Sequence, residues 1–260
     1  MADAELHVLC RRLAPRATVV FDTVDLHHLR EQREAELSGD PAQQRAADRT
    51  RRIELGLIAQ VDTTWVVSPA ERDLLATEAP KARVQVVSNI HEVAPGDGPP
   101  CSARDGLLFV GSYRHPPNVD AARWLVEDIL PRVREHRPDC WLHLVGGDAP
   151  AEVEALGTRP GVVFHGYVPD LSPLLDGARV AVAPLRYGAG VKGKVNQALA
   201  HGLPVVATSC AVEGMHLREG EDVLVADDAA GFADAVQRAY DDPALWARLS
   251  EGGLENTRRH

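Results

Sequence analysis

Sulfur and aromatic side chains are scarce in this sequence. Its 260 residues include four cysteines (Cys10, Cys101, Cys140, Cys210) and two methionines, and aromatics make up 5%. No two cysteines form a CxxC pair and none of the histidines lies in an HExxH, so neither a zinc site nor a disulfide framework is indicated. Long apolar runs are lacking as well. No segment approaches the roughly 18 residues needed to span a bilayer, and the N-terminus has no signal-type apolar core. A cytoplasmic protein is therefore expected. A basic excess is also missing: the net charge of −10 argues against broad nucleic-acid binding, while leaving room for a local basic pocket. No DxD occurs, so no metal site of that type is expected.

What the chain does contain is globular in proportion, with 45% hydrophobic and 25% charged residues. Valine-rich apolar runs recur at Ala17–Phe21, Thr64–Val67, Val84–Val87, Leu107–Val110, Trp141–Val145, Val162–Phe164, Val180–Ala183, Val205–Ala207 and Val223–Val225. They are continuous rather than alternating, as strands buried on both faces of a parallel sheet are. Helical patterns separate them. Val119–Val133, with Asn118 as expected N-cap, places Leu125, Ile129 and Val133 on one face. This alternation predicts a doubly wound α/β fold. The Pro- and Gly-rich segment His91–Arg104 reads as a linker. It divides a partial N-terminal domain (1–90) from a C-terminal domain (105–260). The Arg/Glu-rich stretch His27–Ala59, interrupted near Gly39-Asp40-Pro41, reads as a solvated helical face.

The densest signal is Ala181–Thr208, AVAPLRYGAGVKGKVNQALAHGLPVVAT. A buried strand is followed by a loop carrying Gly188, Gly190 and Gly193 with Arg186, Lys192 and Lys194, and then by a short helix. Glycine lets backbone N–H groups approach a ligand, and a helix start presents unpaired donors with partial positive charge. Three cations added to these predict a site for a multiply charged anion, most plausibly a diphosphate. Lys192 and Lys194 share a side only in an extended segment, so in a helix one of them reaches the phosphates. A rival reading starts from Gly188-Ala-Gly190-Val-Lys-Gly193, which matches GxGxxG with Glu213 placed as a ribose acid, and implies an NAD(P)-binding oxidoreductase.

These pieces together resemble a family 4 (group 1) glycosyltransferase of the GT-B type. Leu107–Asn118 (LLFVGSYRHPPN) resembles the first strand and turn of that family's donor domain, Trp141–Gly147 (WLHLVGG) its next strand, and Val163–Asp170 (VFHGYVPD) the segment that holds the base. Arg186–Val206 resembles the diphosphate and sugar site, while Val19–His27, Asp62–Ser68 and Val86–Asn89 resemble part of the acceptor-side domain. The resemblance implies two Rossmann-like domains, the N-terminal one incomplete, with the chain shortened at its N-terminus and at its C-terminus. It further implies transfer from a nucleotide-sugar donor to a saccharide, lipid or glycan-precursor acceptor, with retention of configuration and without a metal or cofactor. Peripheral membrane association would follow from a lipid-linked acceptor. The donor-binding residues implied are Gly111, His115, Asn118, Tyr167, Val168, Arg186, Gly188, Gly190, Lys192, Lys194, Gln197 and Glu213. Asp25 and His27 are the catalytic candidates, as groups able to orient an acceptor hydroxyl. A sugar-nucleotide-binding module without turnover is the alternative.

The departures from the family are specific. Of the two glutamates that often span its donor-site loop and helix, the first position reads Ala189 and the second Gln197. An amide at 197 can still hydrogen-bond sugar hydroxyls. The usual Arg/Lys pair after the first donor-domain strand is reduced to Arg114, and Val24 stands where many members carry a histidine.

Overall fold

The computed structural model describes residues 9–93 and 99–260. Residues 94–98 of the expected linker lie outside the described residues. The chain forms two compact units: Met1–Asn89 with Tyr187–Val191, and Ile90–Arg186 with Lys192–His260.

In the first unit β1 (Val20–Asp22), α1 (His27–Ser38), α2 (Pro41–Ile58), β2 (Thr63–Val66), α3 (Pro69–Glu78) and β3 (Val84–Val86) follow in order. The three strands pair in parallel as β1-β2-β3. Leu26, Ile58, Val66 and Leu75 form the core, with Phe21, Leu55 and Val84 packed around it. The break between α1 and α2 is built from local chemistry. Gly39 adopts φ 68° to end α1, and the Asp40 carboxylate accepts from Ala42 N–H to start α2. Only β2 is largely buried, and Val20 and Val86 on the outer strands are exposed.

The second unit holds β4 (Leu107–Val110), α4 (Pro116–Trp124), α5 (Leu130–His136), β5 (Leu142–Val145), α6 (Ala151–Leu156), β6 (Val162–Gly166), α7 (Ser172–Gly177), β7 (Val180–Ala183), α8 (Gly193–Ala200), β8 (Val205–Ala207), α9 (Ser209–Val212), β9 (Leu224–Val225), α10 (Ala229–Asp241) and α11 (Pro243–Arg259). Its six strands are parallel in the order β6-β5-β4-β7-β8-β9. Every apolar run read from the sequence becomes a strand, with ends shifted by a few residues. β7 and β8 are buried along their whole length, the pattern of a sheet covered on both faces. The sequence direction reverses between β4 and β7, which creates a crevice at their carboxyl ends where such folds bind ligands. Among the described residues no helix is long and apolar enough to cross a membrane.

One expectation is corrected here. Asn118 is not an N-cap, because α4 begins at Pro116, a residue suited to the first turn since it has no N–H to leave unpaired. That frees the Asn118 side chain for other work.

Candidate functional site

The β4–β7 crevice gathers three of the residues singled out above. Asn118, one turn into α4, is buried and points its amide back across the loop, donating to Ser112 O at 2.7 Å. Its Oδ1 accepts from Lys194 Nζ at 2.5 Å. Lys194 is the second residue of α8, and its ammonium also lies 4.5 Å from the Phe109 ring centroid. Burial pushes this ammonium down to about 7, with repulsion from Lys192 adding to the shift.

Gly111 makes the close approach possible. A Cβ there would stand 2.8 Å from Asn118 Cγ and 2.9 Å from Lys194 Nζ. Gly111→Ala should therefore force the pair apart and destabilise the second unit by about 1–3 kcal/mol, the usual cost of overpacking. Urea denaturation reads this out, and an unchanged midpoint would show that the contact yields freely. Gly146, at the end of β5, is constrained in the same way, since its Cβ would fall 1.7 Å from Gly111 O.

The other cations divide. Arg186 is already committed: its guanidinium makes a two-pronged pair with Asp120, Nε to Oδ2 at 2.9 Å and Nη2 to Oδ1, and lies 5.6 Å from the Trp124 ring centroid. The sequence presented it as a third cation for an anion, and the carboxylate of α4 offsets that charge. Lys192 occupies the cap position of α8 and offers no side-chain acceptor to the helix N–H groups. The run is helical from Gly193, and Lys194 is drawn to Asn118. Gln197 lies half-buried on α8, and Glu213 half-buried just past α9. His115 is exposed at the start of α4. At the end of β6, Tyr167 is 75% exposed beside Gly147, with Val168 half-buried next to it.

Gly188 and Gly190 fall in the first unit. Gly188 O accepts from Arg33 Nη1 at 2.7 Å, and a Cβ on Gly190 (φ 70°) would stand 3.0 Å from Asp25 Cβ. This arrangement does not suit a dinucleotide turn. β7 ends at Ala183 and α8 starts at Gly193, so Pro184–Lys192 intervene where that motif needs a tight strand-to-helix turn.

In the first unit Asp25 and His27 follow β1. Asp25 Oδ2 pairs with Arg30, and Asp25 Oδ1 lies 3.6 Å from His27 Nε2. His27 Nδ1 lies 3.5 Å from Glu54 Oε1, and hydrogen bonding to Glu54 raises the imidazole pKa against the opposing effect of burial. Glu54 was not singled out in the sequence. It sits in the stretch read as a solvated face, yet it is buried, and that reading is corrected at this residue. It accepts from His27 N–H and His28 N–H, each at 3.1 Å, and meets His28 Nδ1 at 2.5 Å. The α1 cap residue Leu26 has no side-chain acceptor, so Glu54 caps that helix from α2. Burial alone would raise the Glu54 carboxyl, but the bonds from His27 and His28 hold it at about 2. Glu71 does similar work by accepting from Leu26 N–H at 3.2 Å and Val67 N–H at 3.1 Å. The loop carrying Asp25 and His27 is thus fixed by buried carboxylates.

Comparison with known proteins bears on this geometry. Residues 104–242, just over half the chain, match the family profile described as "Glycosyl transferases group 1". An "Uncharacterized 44.6 kDa protein in cps region" of Klebsiella pneumoniae is 29% identical over 138 residues, which is 50% of this chain and 36% of that protein. The match thus spans about a third of that relative's length. Sucrose-phosphate synthase from Thermosynechococcus elongatus superimposes with a TM-score of 0.76 at 20% identity, covering 97% of this chain and 66% of that one. Alr3699/HepE of Anabaena, solved with UDP and glucose, gives a TM-score of 0.73 at 14% identity over 98% of this chain and 70% of that one.

Proposed function

Because this chain belongs to the group 1 glycosyltransferases, we propose that it binds a nucleotide-sugar at the β4–β7 crevice and transfers the sugar to a saccharide-containing acceptor with retention of configuration. The observation that carries the reading is the part-buried Lys194–Asn118 pair against Gly111. A desolvated ammonium at a helix start is matched to a diphosphate, whose charge grows as the glycosidic bond breaks. Burial that lowers the pKa of this ammonium also leaves it little water to shed, so a bound diphosphate restores its charge where the negative charge grows. The Anabaena neighbour was solved with UDP, which makes UDP the first nucleotide to test. Gln197 and Glu213 are proposed to contact sugar or ribose hydroxyls, and Asp25 and His27 to orient the acceptor hydroxyl. The proposal extends to a cytoplasmic protein that touches a membrane only through a lipid-linked acceptor.

Calorimetry with UDP, GDP and TDP, followed by incubation with the matching nucleotide-sugars, tests the reading. One nucleoside diphosphate should bind, and slow donor hydrolysis or transfer should release the sugar as the donor's own anomer. Failure of all three to bind would sink it. Binding without any turnover would instead favour a sugar-nucleotide-binding module.

The same reading requires no metal. Lys194, the α8 N-terminus and Lys192 supply the positive field that a divalent ion provides elsewhere. Turnover is expected to survive EDTA, with Mg²⁺ changing the rate less than about threefold, within the scatter of a bystander ion. Activity lost to chelation and restored by Mn²⁺ would overturn this assignment.

A further inference from the structure

We infer that His91 is a donor-site residue whose Nε2 hydrogen-bonds the terminal phosphate of the nucleoside diphosphate at the start of α8. The inference rests on the donor-site reading above and adds a residue from a segment that the sequence presented as a linker. Two observations within the second unit support it. His91 Nε2 is enclosed and has no hydrogen-bond partner among the described residues. Its ring also lies beside Gly193, the first residue of α8, with His91 Cε1 3.9 Å from where a Cβ on that glycine would sit.

An enclosed ring nitrogen without a partner is costly, and native proteins seldom keep one unless something else satisfies it. Tyr113 Oη is another enclosed orphan, and it lies beside Gly146. His91 lies beside the helix start where the phosphates are proposed to bind. Desolvation lowers its proton affinity, so the ring is neutral at pH 7 and can present an Nε2–H to a phosphate oxygen.

The test compares two ligands on four proteins. The parent, His91→Ala, His91→Phe and His91→Gln are titrated calorimetrically with the nucleoside diphosphate that the parent binds most tightly and with its monophosphate. His91→Phe keeps a ring without nitrogen, and His91→Gln restores a donor near the Nε2 position. The alanine and phenylalanine variants should lose about tenfold in diphosphate affinity, a typical worth for a bond to a charged group. Their monophosphate affinity should stay within about twofold, and His91→Gln should recover most of the loss. Equal binding of the diphosphate by all four proteins overturns the inference. So does a loss shared by both ligands and not recovered by glutamine, which is the signature of a structural histidine. If His91→Ala does not fold, the Phe and Gln pair decides alone. Should Lys194→Ala lose affinity while the His91 variants do not, the donor reading stands and this inference falls. A parent that binds no nucleoside diphosphate removes both.

Discussion

Lys194→Ala should weaken nucleoside-diphosphate binding by roughly 10- to 150-fold, the equivalent of about 1.5–3 kcal/mol for a hydrogen bond to a charged group. Lys194 is a half-buried cation of the crevice, bonded to Asn118 and lying over Phe109, whereas Arg186 is already paired with Asp120. The pH dependence separates this role from a general effect of charge. The unliganded ammonium titrates near 7 instead of its ordinary 10.5, because burial penalises the charged form. A bound diphosphate restores the charged form, so binding should take up a proton and affinity should fall as pH rises above 7. The same shift fixes the sign for stability. Between about 7 and 10.5 the unfolded chain holds the Lys194 proton and the folded chain does not, so the unliganded protein gains stability as pH rises through that window. Lys194→Met should abolish the affinity slope. A slope that persists in that variant, or a Lys194→Ala protein with parental affinity, would remove this lysine from the phosphate site.

The strands were legible because burial on both faces leaves an uninterrupted apolar run, as in Val180–Ala183 and Val205–Ala207. Gly111 and Lys194 were legible for a related reason: a glycine closing a strand and a lysine opening a helix are local patterns. Asn118 was singled out both for the donor site and as an N-cap, and the structure corrects the cap reading. Pro116 moves the helix start upstream, and a sequence reading that weighted proline at the first turn would have seen it. Pairings across long separations left no local trace. Nothing around Arg186 announces Asp120, and nothing around Gly188 announces Arg33. Glu54 is the instructive case. It shares the buried face of α2 with Ala47, Leu57 and Ile58, so a charged residue lay on the apolar stripe, a sign of a buried partner that the high overall charge of the stretch obscured.

Glu54 is also where the largest loss of stability is expected. Glu54→Ala removes the acceptor for two backbone N–H groups and for the His28 imidazole, all in a buried setting. Removing a buried carboxylate from three hydrogen-bonding groups costs about 3–5 kcal/mol. Glu54→Gln keeps an oxygen for the helix start but not the charge, and should cost about half as much. Acid should mimic the mutation in the parent protein. The folded carboxyl titrates at about 2 and the free one at 4.5, so the stabilisation is complete above 4.5 and is lost as pH falls from there towards 2. A shift of that size corresponds to on the order of 3 kcal/mol. Hydrogen exchange locates the effect: peptides from α1 and α2 should lose protection in Glu54→Ala at pH 7, while peptides from β4 to β8 keep theirs. Unchanged protection in α1, or a parent whose first unit is equally stable at pH 5 and pH 3, would contradict the assignment. Because Glu54 also binds the His27 backbone and ring, its loss should release the loop that carries Asp25 and His27. Turnover should then fall further than diphosphate affinity, since Lys194, Asn118 and Gly111, proposed to hold the phosphates, belong to the second unit.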